Sequence, residues 1–150
     1  MNFENTQKLL HDAQDFHRFL SDRCARMSAE ADTERLRMVL DYMQRQNEHL
    51  ADALQKFEKE GGAILNNTWF QYSPENGPEV CFSQIKKLPE STSPDDLITR
   101  VIDLQECLGG FYSEAARLAP NEPVRHLFQS LHRQSVRGRE ELMTGVNLTP

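Results

Sequence analysis

Most of the features that announce a chemistry are missing from this sequence. Its cysteines number three, Cys24, Cys81 and Cys107, widely spaced and never in a C-x-x-C pair. They read as free thiols of a reducing compartment, not as a disulfide or zinc framework. Basic charge is also short: 17 Lys and Arg stand against 23 Asp and Glu, a net charge of -6 with the signs interspersed. That argues against the basic face a nucleic acid or an anionic membrane requires. The opening residues, MNFENTQKLLHDAQDF, hold no basic stretch followed by an apolar one, so no secretory signal is expected. Nor is there a Gly-rich phosphate loop, an H-E-x-x-H pair or a nucleophile elbow. An apolar content of 38% is too low for membrane spans and too high for a disordered chain. The expectation is a cytoplasmic protein without membrane or nucleic-acid partners. At 150 residues it is one domain, 1–150, with a single core.

What is present is helical periodicity. Leu9, Ala13, Phe16, Leu20, Cys24 and Met27 step by threes and fours, the spacing of one helix face, and predict a helix over about 5–28. A second, over 33–60, is capped by Asp32 or Thr33, carries Leu36, Leu40, Met43, Leu50, Leu54 and Phe57, and stops at Gly61-Gly62. Ser93-Pro94 followed by Asp95 and Asp96 opens a third over 94–118. Its inner face is Leu97, Val101, Leu108, Phe111 or Tyr112, and Ala115. The fourth, over 122–144, buries Val124, Leu127, Phe128, Leu131 and Leu142. Between the pairs, 61–93 has no helical period. It holds Pro74, Pro78 and Pro89 yet also Trp69, Phe70 and Tyr72, which suits a crossover covering the core or offering a partner surface. Gly109-Gly110 inside the third helix costs about 1 kcal/mol per glycine relative to alanine, so a close helix contact is expected there.

Sliding the chain by 88 places Asp15 on Asp103, Leu20 on Leu108, Glu34 on Glu122, Arg37 on Arg125, Arg45-Gln46 on Arg133-Gln134 and Leu54 on Leu142 without a gap. The sequence thus predicts an all-α fold: two antiparallel helix pairs joined by one long crossover, the connectivity of a ferritin-like four-helix bundle. The stretch FYSEAARLAPNEPVRHLFQSLHRQSVRGREEL resembles the second half of a rubrerythrin-type ferritin-like domain.

That resemblance implies a di-metal centre built from one Glu on each of two helices and Glu-x-x-His on each of the others. Followed along the buried faces, the equivalent slots fall on His17, on Asn47 and Leu50, on Gln105, and on Ser135 and Gly138. None is a carboxylate, the group needed to bridge and neutralise two hard cations. A register shifted by one would bring Glu48, His49 and Glu106 inward. It would also turn leucines outward, at about 1.5–3 kcal/mol for each buried apolar side chain. The apolar stripe prevails. No cofactor, metal or catalytic residue is therefore expected. His17, Asn47, Gln105 and Ser135 become a buried polar cluster at former ligand slots, and Trp69, Phe70, Tyr72, Gly109 and Gly110 an interface. The sequence-level reading of function is a non-catalytic bundle acting through a homodimer or a protein partner. The alternative is a metal-dependent oxidase, peroxidase or iron-handling protein, which the resemblance implies.

Overall fold

The computed structural model describes residues 2–66, 69–72 and 77–147, with the side chains of 1–4, 63–76 and 146–147 left undescribed. Helices supply the architecture: α1 (Thr6–Ala29), α2 (Glu34–Asn66), α3 (Pro78–Lys86), α4 (Pro94–Leu118) and α5 (Glu122–Asn147). A two-stranded sheet of β1 (Asn2–Asn5) and β2 (Trp69–Tyr72) is the regular extended backbone among the described residues. The chain divides into two compact units, Glu4–Trp69, and Phe70–Pro150 with Met1–Phe3. Each is organised around one helical hairpin.

In the first unit α1 and α2 bury Leu9, Leu10, Ala13, Phe16, Leu20 and Cys24 with Leu40, Met43, Leu50 and Leu54. Asn5 caps α1, its side-chain oxygen accepting from the Gln7 and Lys8 amides at 2.9 and 3.3 Å. Of the two candidate caps for α2, Thr33 takes the role, accepting from the Leu36 amide at 3.1 Å. The expected stop at Gly61-Gly62 is a break, not an end. Gly62 turns to φ +42°, which glycine tolerates, and helical backbone then resumes to Asn66.

In the second unit Ser93 caps α4 by accepting from the Asp96 amide at 3.2 Å, with Pro94 at the first helical position. Leu97, Val101, Leu104, Leu108, Tyr112 and Ala115 are buried together with Val124, Leu127, Phe128, Leu131 and Leu142. Of Phe111 and Tyr112, it is Tyr112 that turns fully inward.

The two hairpins share their turns bond for bond at the 88-residue offset. The Ala31 amide donates to Ser28 O and the Ala119 amide to Ala116 O. The Leu36 amide is capped by Thr33, and the Val124 amide by Asn121 Oδ1 at 3.0 Å. Arg37 and Arg125 each reach back to a carbonyl six residues earlier, Ala31 O at 3.5 Å and Ala119 O at 3.4 Å. Each also pairs with a glutamate three residues before it, Glu34 and Glu122.

Two expectations are corrected in the segment between the hairpins. It is not free of helix, because Pro78–Lys86 forms α3, started by Gly77-Pro78 and buried through Cys81, Phe82 and Ile85. And the cysteines are not three free thiols: Cys81 on α3 is disulfide-bonded to Cys107 on α4, with 5.7 Å between their Cα atoms. Only Cys24 is free among the described residues. The spacing missed this pairing because two cysteines 26 residues apart meet only once α3 folds back on α4. With it goes the premise for a reducing compartment. No described helix is long and apolar enough to cross a membrane.

Candidate functional site

The four polar side chains expected at the former ligand slots are all buried: His17 at 3% exposure, Asn47 at 1%, Gln105 and Ser135 at 5% each. Two of them lie in each unit. Within the first, His17 Nδ1 lies 2.8 Å from Asn47 Oδ1, while Asn47 Nδ2 donates to Met43 O at 2.7 Å. A carbonyl can only accept, so the Met43 bond fixes the amide orientation and presents Oδ1 to the ring. Nδ1 must then carry the proton, and neutral His17 has its unprotonated nitrogen at Nε2. Burial lowers the His17 pKa to about 4, against a smaller upward pull from Asn47. At neutral pH the ring is an uncharged part of the core.

One turn along the same hairpin, Ser21 donates its hydroxyl to Gln44 O at 3.2 Å. The position 88 residues on repeats the crossing with the roles exchanged. His132 Nδ1–H donates to Gly109 O at 2.9 Å, so His132 is half-buried and anchored, not a solvated surface histidine. Gly109 is buried here, and a Cβ built on it would meet Ser135 Cβ at 3.8 Å and His132 Nδ1 at 3.9 Å. Gly110 is exposed, with nothing within 4 Å of such an atom. The pair therefore splits: Gly109 faces α5, and Gly110 faces outward.

Cys24 and Tyr112 occupy equivalent buried positions of the two repeats. Burial pushes the Cys24 thiol up to about 12, with Arg23 opposing, so it is a small core side chain and not a nucleophile. Burial likewise drives the Tyr112 hydroxyl above the usual phenol range, and it has no hydrogen-bond partner among the described residues. Arg23 is also buried, at 2% exposure, and helical periodicity does not reveal it. A long charged side chain inside breaks the apolar pattern that periodicity reads.

The carboxylates that a shifted register would have recruited stay outside. Glu48, His49 and Glu106 are exposed, and Glu106 reaches Arg139 at 3.8 Å. His11 and His126 are exposed as well. The side chains of Trp69, Phe70 and Tyr72 lie outside the described residues. Among the described residues no three His, Cys, Asp or Glu side chains gather closely enough to hold a metal ion. The donors at the slots are one imidazole, two amides and a hydroxyl, which do not fit a di-iron centre that needs bridging carboxylates. No protein-family model, no curated protein and no solved structure matches the chain.

Proposed function

We propose that this chain is a non-catalytic helical protein of ferritin-like organisation, its two hairpins derived from one ancestral unit, and that it acts by association with a second copy of itself or with a protein partner. The observation that carries this reading is the chemistry at the slots. Where a ferritin-like oxidase holds acidic ligands, His17 is committed through Nδ1 to Asn47 and held neutral, and the equivalent positions of the other hairpin are Gln105 and Ser135. Exposed apolar side chains favour association. Val136 and Met143, seven residues apart on α5, are 42% and 37% exposed, and Leu118 and Met38 are 45% and 62% exposed. Residues seven apart share a helix face, and such side chains contribute most when a partner covers them.

Sedimentation equilibrium together with elemental analysis on one preparation tests the proposal. The expected result is a dimer, or a complex with a partner, carrying no stoichiometric iron, manganese or zinc, and weakened by Val136→Asp with Met143→Asp. A monomer carrying two tightly held metal ions per chain would favour the metal-dependent oxidase or iron-handling reading instead.

A further inference from the structure

Between α4 and α5, near their turn, lies a groove of about 460 Å³ lined by Ser113, Arg117, Arg125, Gln129, His132 and Arg133. Its volume falls in the range of small-molecule sites, roughly 300–1,000 Å³. Three guanidinium groups and an imidazole in one groove stand out in a chain of net charge -6. We propose that this groove binds a small molecule carrying a phosphate or pyrophosphate group. This goes beyond the association reading and does not depend on it.

The two repeats differ at this place. Because their turns match bond for bond, each of these polar lining residues has an equivalent 88 positions upstream: Ala25, Ala29, Arg37, Asp41, Gln44 and Arg45. In the α1–α2 hairpin Ser28 donates its hydroxyl to Asp41 across the two helices, which puts a carboxylate at the corresponding place. In the α4–α5 hairpin Ser28 is matched by Ala116 and Asp41 by Gln129, so the cross-helix bond and its carboxylate are both gone. At the same time Arg117 stands where the other repeat has Ala29, and His132 where it has Gln44. Relative to the first hairpin, the second lacks the acid and has two further cationic or proton-bearing groups.

The cations are held in place without being neutralised inside the groove. Arg117 pairs with Glu114, its Nε at 3.1 Å from Oε2, and Arg125 with Glu122, both within the same helix. Such exposed pairs are weak and screened by salt, and neither glutamate lines the groove. Arg125 is further steadied by Ala119 O, and His132 by Gly109 O. Arg133 takes part in no ion pair among the described residues. Planar guanidinium forks fixed on two facing helices suit the oxygens of a phosphate, while Ser113 and Gln129 add neutral donors.

The test is an NMR titration of the ¹⁵N-labelled full chain with inorganic pyrophosphate and with inorganic phosphate, against sodium chloride at matched ionic strength. Saturable shifts at the amides of Ser113, Gln129 and Arg133 are expected, with a Kd of about 1 mM or tighter for pyrophosphate. Arg133→Gln and Gln129→Asp, the latter restoring the carboxylate of the other repeat, should each weaken binding about tenfold or more. Both positions are exposed, and unchanged circular dichroism would show that the helices persist. Arg45→Gln, the equivalent change in the α1–α2 hairpin, should leave binding as it was. Shifts that follow ionic strength alone, or a Gln129→Asp chain that titrates like the wild type, would overturn the proposal.

Discussion

At His17 the imidazole is kept neutral by burial, and its folded-state pKa of about 4 lies below the ordinary 6.5. Between those two values the unfolded chain binds a proton that the folded chain does not. Stability from this group is therefore complete above pH 6.5 and is lost as pH falls toward 4, by about 3 kcal/mol in all. His17→Gln removes the titration. Urea denaturation at pH 7 and pH 4.5 is expected to show a steeper acid loss for the wild type than for the variant, and equal losses would refute the assignment. Tyr112 offers a second reading at this scale. Its buried hydroxyl lacks a partner among the described residues, a situation that costs on the order of 1–3 kcal/mol. Tyr112→Phe should be neutral or stabilising. A loss above about 1 kcal/mol would mean that the hydroxyl is hydrogen-bonded after all.

For the helices, glycine and the disulfide give the sharpest expectations. Gly109 and Gly110 both sit in regular helix, and a Cβ at either would meet ordinary contact or open space. The close approach of α5 therefore does not require glycine at 109, and alanine at 110 should raise stability by about 0.5–1 kcal/mol through helix propensity. Thermal melts of Gly110→Ala measure this, and a lowered midpoint would contradict it. The Cys81–Cys107 bond closes a 26-residue span and ties the nine-residue α3 to α4. Cys81→Ala with Cys107→Ala should cost about 2–4 kcal/mol. Hydrogen exchange should place the loss first in α3, whose short length gives it little stability of its own. Equal exchange of α3 in the two forms would show that packing by Phe82 and Ile85 suffices. The period of the four long helices and the caps of α2 and α4 were legible in the sequence because Thr33 and Ser93 act locally, whereas the caps at Asn5 and Asn121 emerged from the structure. The α3 signal was also present, in Gly77-Pro78 and the spacing of Cys81, Phe82 and Ile85, but prolines and aromatics around it masked so short a period.

For the molecule as a whole, the burial of His17, Asn47, Gln105 and Ser135 followed from helical phase, since each shares a face with leucines whose position is strongly dictated. What phase could not reveal were features that depend on two elements meeting: the disulfide, the His132–Gly109 bond and the groove between α4 and α5. Arg133 looks like one member of a mixed-charge surface until α4 brings Arg117 beside the same groove. Those buried positions hold no acid. The most direct test of a chain without a di-iron centre is to load it, purified, anaerobically with ferrous iron and then admit air while recording the near-ultraviolet spectrum. No ferric-oxo absorbance above the protein-free control is expected. Rapid stoichiometric oxidation, at two irons per chain and abolished by His17→Ala, would contradict it.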